Sequence, residues 1–350
     1  MAVSVTDFVP NRPLTASADT IIYEAAAPDE SRTAASHNDR RYPMNDTLPY
    51  NDLNSWLRRR FGERVQKITV DAGMTCPNRD GTLGVGGCIY CNERGSGTGK
   101  FPRLGIAAQI REAKEALSRR YNARKFIAYF QSFSNTYSPG ETLERLYSEA
   151  LAEEGVVGLT VGTRPDCVSD EVLDLLARLN EHVWVSVEYG LQSSNDASLR
   201  AINRGHDFAC FADAVKRTHL RGLDVTVHLI LGLPGETIDD MVQSARDIAG
   251  LGIQGVKLHL LYVVRGTRLH DMYERGEYRC MTRGEYTDAV CNVLGHLPPD
   301  MVIHRLTGDP HRDELVAPLW ALEKNRNLGA IREHLAEHGI RQGIFFQHYS

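Results

Sequence analysis

Nowhere in its 350 residues does the sequence hold an apolar run long enough to cross a bilayer. Its first residues also lack the basic-then-apolar layout of a secretory leader. The expectation is a soluble, cytoplasmic protein with no membrane partner. Basic charge is not in excess either: 40 Lys and Arg stand against 45 Asp and Glu, a net charge of −5. A nucleic-acid partner would therefore have to be held by a local patch and not by the field of the whole molecule. The cysteines number seven, an odd count without the dense framework of a small secreted domain. Disulfides are thus not expected, and a reducing compartment is.

What is present is ordinary globular composition, 42% hydrophobic and 24% charged, enough for a large core. Residues 1–42 are rich in Ala, Ser, Thr, Asp and Pro with weak periodicity and are expected to be a disordered extension. Asp7, Asp19, Glu24 and Asp29 argue against an organellar transit peptide there. Beyond residue 42 the chain alternates β-branched runs with amphipathic stretches. The candidate strands are Lys67–Val70, Phe126–Phe130, Gly158–Val161, Val183–Glu188, Asp224–Leu231, Gly255–Tyr262 and Met301–Arg305. Between them, Ile106, Ile110, Ala113 and Leu117 recur at helical spacing, as do Val172, Leu175, Leu176 and Leu179 behind the cap Ser169. Thr237 with Asp240, and Thr282 with Glu285, have the spacing of capping boxes. Alternation of this kind builds right-handed βαβ units, and about six of them suit a partial (β/α)6-type barrel in an α/β fold. The expected layout is a barrel core over 43–300 and a C-terminal helical extension over 301–350 packed on it. Chemistry in such barrels sits at the carboxyl ends of the strands.

One stretch follows the first strand and concentrates reactive residues: Asp71 to Thr98, DAGMTCPNRDGTLGVGGCIYCNERGSGT. Cys88 and Cys91 are separated by Ile89 and Tyr90, and Cys76 can fold back over the glycine-rich segment between to join them. A structural zinc site wants four protein ligands, and no further Cys or His follows until Cys167 and His182. Three thiolates can instead hold an iron–sulfur cubane with one iron left open. The alternatives are a zinc loop closed by a distant ligand such as His206, or three reduced thiols. Cys167, Cys210, Cys280 and Cys291 show no close spacing and are expected to be structural.

Three cysteines with an aromatic before the last resemble the radical S-adenosylmethionine (SAM) superfamily. The usual spacing there is Cys-x3-Cys-x2-Cys, whereas eleven residues part Cys76 from Cys88. The expanded spacing, with TCPNRDGT and GGCIYC, is similar to the YhcC/YtqA-like branch, related to the Elp3 and coproporphyrinogen-oxidase-like enzymes. The likeness runs from about Tyr42 to Gly343. It implies a partial barrel of the radical SAM kind, a [4Fe–4S] cluster on Cys76, Cys88 and Cys91, and S-adenosyl-L-methionine as cofactor with Tyr90 beside it. A one-electron donor of the flavodoxin or ferredoxin type is implied as partner.

The strand ends supply the remaining candidates. After the second strand, Gln131 and Ser132 stand where many superfamily members carry a Gly-Gly-Glu type motif for the methionine amino group; the other reading is a polar loop. The third strand ends in GTRPD, where Arg164 and Asp166 either pair across Pro165 or act in the site. In VEYGLQSSNDASLRAINRGHD the resemblance gives Gln192 to the cofactor ribose and Arg204 to the methionine carboxylate, for which a guanidinium fork is suited. Glu188 would point inward, a costly placement unless ribose or a cation meets it. Gly232 and Leu233, in an apolar turn, are implied adenine contacts. Lys257 and His259 share one face of the sixth strand; if that face is inward they are candidates for proton transfer or substrate anchoring, with Arg305.

The branch implies a tRNA partner, its wobble uridine changed from carboxymethylaminomethyl to aminomethyl. Arg265, Arg305 or Arg312 would then anchor the substrate carboxylate, and Arg58, Arg59 and Arg60 with Trp56 would meet phosphate and base; a solvated helix face is the plainer reading of that run. A radical reaction on a small molecule, and a zinc-dependent nucleic-acid-binding module, are the competing functions.

Overall fold

The computed structural model describes residues 48–92, 95 and 104–347. The extension expected over 1–42 lies outside the described residues. In chain order the elements are α1 (Leu53–Phe61), β1 (Val65–Val70), α2 (Ile106–Tyr121), β2 (Lys125–Phe130), α3 (Gly140–Leu151), β3 (Val156–Thr163), α4 (Asp170–Asn180) and β4 (Trp184–Gln192). There follow α5 (Asp196–Ala201), α6 (Phe208–His219), β5 (Asp224–Leu231), α7 (Ile238–Ala249), β6 (Gly255–Leu260), β7 (Val263–Val264), α8 (Arg268–Glu274), α9 (Arg283–His296), β8 (Val302–Arg305), β9 (Leu315–Ala317) and α10 (Lys324–Glu337). The three expected caps are present: Ser169 accepts from Val172 N, and Thr237 and Thr282 close reciprocal capping boxes with Asp240 and Glu285.

Seven strands form one parallel sheet in the order β1-β2-β3-β4-β5-β6-β8, each joined to the next by a helical crossover. The seventh strand, Val302–Arg305, thus completes the sheet beside β6, while β7 and β9 make a small antiparallel pair. The sheet is curled. Edge strand β1 and central strand β4 are three strands apart, about 14 Å in a flat sheet. Yet Lys67 Nζ of β1 lies 2.7 Å from Glu188 Oε1 of β4, and His304 Nδ1, from β8 at the opposite edge, lies 3.7 Å from the same oxygen. Side chains of both edges meeting over the centre define a half-barrel.

Alternation along the strands divides the faces. Ile68, Val70, Phe126, Ala128, Phe130, Leu159, Val161, Val185, Val187, Val225, Val227, Val256 and Leu258 point outward and form the main core beneath the helices. Lys67, Tyr129, Thr160, Ser186, Glu188, Thr226, His228, Lys257 and His259 occupy the intervening, inward positions. A barrel interior is ordinarily packed with branched aliphatic layers; this one is polar. At the amino ends of the strands Leu57, Val65, Ile127 and Trp184 form a separate apolar cluster that plugs the lumen. Helix α1 belongs to this plug: Trp56 packs on Trp184 at 5.4 Å, and Arg60 stacks on both rings.

Candidate active site

The loop after β1 is built around the three cysteines and pinned from several elements. Asn78 donates to Asn203 O, Asn203 donates to Gly87 O at 2.8 Å, and Ile89 N donates to Ile202 O at 3.1 Å. Ser134 N, beyond β2, donates to Thr75 O at 3.2 Å. The local backbone needs residues that tolerate left-handed geometry: Gly86 and Gly87 have φ of 80° and 73°, and Asn203 has 55°. Cys88 and Cys91 share a hydrogen bond. Accepting it, with Arg204 and Arg164 nearby, holds the Cys88 thiol well below the ordinary cysteine range; donating it, with burial, pushes Cys91 up. Arg204 is the keystone. Its Nε donates to Gly190 O at 3.1 Å and Nη2 to the same oxygen at 2.5 Å, while Nη1 faces Cys88 Sγ at 3.5 Å. One guanidinium therefore ties the end of β4 to the cysteine loop, and Tyr90 lies within the field of Cys88, Cys91 and Arg204.

Arg164 and Asp166 pair in a bidentate fork at 2.9 and 2.7 Å. The third guanidinium nitrogen, Nη1, is buried without a partner, as are Ser132 Oγ and Ser134 Oγ at the end of β2. Unpaired buried donors clustered at a mouth are what a missing polar ligand leaves behind. Gly190 is a close-approach position: a Cβ there would stand 2.7 Å from both Arg204 Nη2 and Gln192 Nε2. Gln192 itself has φ of 85°, strained for a side-chain-bearing residue and concentrated where β4 ends. Gln131 continues β2 through its N–H to Val70 O at 3.4 Å. Gly232, φ 88°, accepts from Tyr278 Oη at 3.0 Å, and Met281 packs over it beside the buried Leu233.

Below this mouth lies the polar lumen. Glu188, fully buried, pairs with Lys67 at 2.7 Å, with Lys257, and with His228 at 3.0 Å. Lys257 also donates to Tyr129 Oη at 3.0 Å. Burial, opposed by Glu188 and reinforced by the charges of Lys67 and Arg305, pushes the Lys257 ammonium down to about 7. Burial likewise lowers His228 to about 4, His304 to about 3, and His259, stacked on His228 at 5.5 Å, well below its usual value, so the imidazoles are neutral. Arg305 is the register partner of Lys257, and its charge acts on His259, Tyr262 and Tyr129.

The site residues expected from sequence thus fall into two groups. Cys76, Cys88, Cys91, Tyr90, Gln131, Ser132, Gln192 and Arg204 gather at the carboxyl ends of the strands; Glu188, Lys257, His259 and Arg305 gather in the lumen. Of the three arginines considered as anchors, Arg265 and Arg312 are exposed and Arg305 overlies the lumen. Arg58, Arg59 and Arg60 with Trp56 lie at the plugged end, away from the cysteines, because Trp56 is consumed by packing on Trp184. Lys67, Tyr129, His228, His304 and Asn78 were not singled out in the sequence. The signal for the first three was present: each is a polar residue at an inward step of an otherwise apolar strand.

Among the described residues, no group of three His, Cys, Asp or Glu side chains converges on one metal ion. The three thiols, the cationic Arg204 and the unpaired donors fit an iron–sulfur cluster with an amino-acid ligand on its open iron.

A half-barrel with three cysteines on the loop after its first strand defines a radical SAM enzyme. The sequence profile of the Radical SAM superfamily matches residues 76–248, and that of the Radical SAM C-terminal domain matches 253–337. The chain belongs to this superfamily, and its cofactors are a [4Fe–4S] cluster and S-adenosylmethionine. Within it the chain falls in the YhcC/YtqA-like branch. It is 40% identical to YtqA of Bacillus subtilis over 308 residues, 87% of this chain and 96% of that protein. It is 38% identical to YhcC of Escherichia coli K12 over 288 residues, covering 81% and 92%. The Elp3 of the archaeon Methanocaldococcus infernus shares the fold, with a TM-score of 0.60 at 20% identity over 79% of this chain and 64% of that one. No helix among the described residues is long and apolar enough to cross a membrane.

Proposed function

We propose that the enzyme acts on the wobble uridine of tRNA, converting a carboxymethylaminomethyl side chain to aminomethyl. When bound through Cys76, Cys88 and Cys91, the cluster together with S-adenosylmethionine would supply one-electron radical chemistry for removing a hydrogen atom from substrate. Cys76, Cys88 and Cys91 hold the cluster. Arg204, its Nε and Nη2 held by Gly190 O, would turn the remaining Nη1 edge beside Cys88 to the methionine carboxylate; Gln131 and Ser132 would face the amino group, Gln192 the ribose, and Gly232 and Leu233 the adenine. Glu188, already held by two lysines and His228, orders the lumen and leaves the ribose to Gln192. Lys257, His259 and Arg305 meet the reacting end of the substrate. The electron arrives from a flavodoxin- or ferredoxin-like donor.

The observation that carries this reading is the charged lumen of Glu188, Lys67, Lys257 and His228, closed at its far end, the amino ends of the strands, by Trp184 and Leu57. The placement of Arg58, Arg59 and Arg60 at that far end favours, against tRNA, a small-molecule substrate that needs no phosphate contacts there. Incubating reconstituted enzyme with tRNA bearing carboxymethylaminomethyluridine, S-adenosylmethionine and a reductant, then digesting to nucleosides for mass spectrometry, separates the two. Aminomethyluridine appearing only with S-adenosylmethionine supports the proposal; an unchanged nucleoside alongside 5′-deoxyadenosine formation returns the substrate to the small-molecule class.

A further inference from the structure

Arg164 directly follows β3, and its side chain is only 3% exposed. Asp166 takes Nε and Nη2 at 2.9 and 2.7 Å, which leaves Nη1 on the opposite edge of the guanidinium, buried and without a hydrogen bond. An unmet buried donor costs about 1–3 kcal/mol, and more on a charged group. That cost is recovered when something the fold binds brings an acceptor.

The groups around Arg164 are those that enclose the cysteines. Gly205 has a φ of 81°, and a Cβ on it would stand 3.2 Å from Arg164 Nη2 and 3.6 Å from Asn78 Oδ1, so both side chains close on one point. Asn78 lies two positions after Cys76, and its Nδ2 is 3.9 Å from Cys88 Sγ. Arg204, the residue before Gly205, brings Nη1 to 3.5 Å from the same sulfur. From the other side Ser134 N holds Thr75 O, next to Cys76, at 3.2 Å. Asn135 holds Gly162 O, two residues before Arg164, through N at 3.1 Å and Nδ2 at 2.9 Å. Electrostatics follows this arrangement. Against burial and the charge of Arg204, Asp166 and Cys76 keep the Arg164 guanidinium above its ordinary value. The Cys88 thiol is held down by its hydrogen bond with Cys91, then by Arg204 and Arg164. His206 adds no charge, because burial and then Arg204 lower it to about 3. Two guanidiniums thus stand at the cysteines, and Asp166 is the only carboxylate paired with either among the described residues. A buried excess of positive charge favours an anionic occupant.

We infer that Arg164 Nη1 donates to a sulfur on the Cys76 side of the [4Fe–4S] cluster, and that Arg164 with its clamp Asp166 sets the reduction potential of that cluster. Taking one electron from its donor, the cluster gains one negative charge. A fixed cation with an N–H on sulfur stabilises the reduced form and raises the potential, whereas the Asp166 carboxylate offsets part of that charge. Arg204 does not duplicate this role. Two of its nitrogens are held by Gly190 O, and its remaining edge is the one turned to the methionine carboxylate, which neutralises it when the cofactor binds. Arg164 is the cation that stands whether or not the cofactor is there. The inference rests on Cys76, Cys88 and Cys91 being the cluster ligands and needs nothing of the substrate.

The test uses the anaerobically reconstituted full chain without S-adenosylmethionine, its reduced cluster followed by electron paramagnetic resonance as the potential is stepped. Wild type, Arg164→Gln and Asp166→Asn are first matched for iron and acid-labile sulfide. Arg164→Gln should disfavour the reduced form at least tenfold, a midpoint lower by about 59 mV or more. Asp166→Asn, at a side chain 14% exposed, should move the midpoint the opposite way. An unchanged midpoint in loaded Arg164→Gln overturns the inference; if S-adenosylmethionine also binds more weakly there, Nη1 belongs to the cofactor instead. Should Arg164→Gln fail to load, Asp166→Asn decides: a raised midpoint supports the inference, and one unchanged or lowered overturns it. Failure of the ligand assignment looks different, because Cys76→Ala would then load iron and sulfide fully.

Discussion

Replacing Glu188 with Gln removes the negative charge at the centre of the lumen and keeps the shape of the side chain. Its partners Lys67 and Lys257 are only 15% and 10% exposed, so neither ammonium can turn fully into water. At pH 6 the Lys257 ammonium of the wild type is charged, and an ion pair broken in such surroundings costs about 3–5 kcal/mol. Lys257 provides an escape at higher pH, because burial has already pushed it down to about 7. The loss of Glu188 removes the attraction that keeps it from falling further. At pH 8.5 Lys257 is neutral in both proteins, and the variant forfeits the Lys67 pairing and a hydrogen bond, about 1–2 kcal/mol. The sign follows from proton counting: above pH 7 the folded chain holds fewer protons at Lys257 than the unfolded chain, whose lysine titrates near its ordinary 10.5. Stability contributed there rises with pH, and in the variant the rise begins earlier. Urea midpoints for wild type and Glu188→Gln at pH 6 and 8.5 measure the effect. Equal destabilisation at both pH values, or less than about 1 kcal/mol at pH 6, refutes the account of the lumen.

Cys88→Ala should leave the far-UV spectrum of the barrel intact while anaerobic reconstitution yields protein depleted of iron and acid-labile sulfide; full loading would remove Cys88 from the ligand set. Arg204→Lys cannot hold Gly190 O with two N–H groups and face Cys88 together, so 5′-deoxyadenosine formation should fall by about tenfold or more with the fold retained. Trp184→Ala, at the plugged end, should cost about 3–5 kcal/mol in urea unfolding, because the ring is 8% exposed and packs against Trp56 and Phe61. Arg60→Ala, which removes only a stacked surface cation, should change stability by about 1 kcal/mol or less and leave the KM for substrate unmoved; a large rise in KM would bring α1 into the binding surface.

The strands were legible because each couples β-branched runs to turn residues; Asp224–Leu231 spans the residues expected, and the others differ by a few at the ends. Strand ends are set by hydrogen bonds to neighbours that a single sequence does not contain, so β4 runs on to Gln192 through a shift in register with β5. The seventh strand is short, with a ladder interrupted at Val256/Lys257, and its periodicity is correspondingly weak. At the mouth, the three cysteines and Arg204 stand in motifs, whereas Asn78 works through a contact with Asn203, 125 positions away, that no local spacing announces. The lumen lay in between. Glu188, Lys257 and His259 stood out as polar residues in strands, yet the fact that Lys67 and His304 reach the same carboxylate depends on the curl of the sheet, which local pattern does not specify. The Arg58–Arg60 run carries two readings in the sequence, a nucleic-acid contact and a solvated helix face, and the packing of Trp56 on Trp184 at the closed end of the barrel is a long-range contact that local spacing does not announce.

The central claim is that the cysteine mouth supports radical cleavage of S-adenosylmethionine; the proposal attached to it is that the substrate is a tRNA nucleoside. The most direct measurement is 5′-deoxyadenosine formed by the anaerobically reconstituted enzyme with S-adenosylmethionine and dithionite, with and without bulk tRNA. Formation that rises when tRNA is added is the predicted result. A fully loaded cluster that yields no 5′-deoxyadenosine under either condition would contradict it.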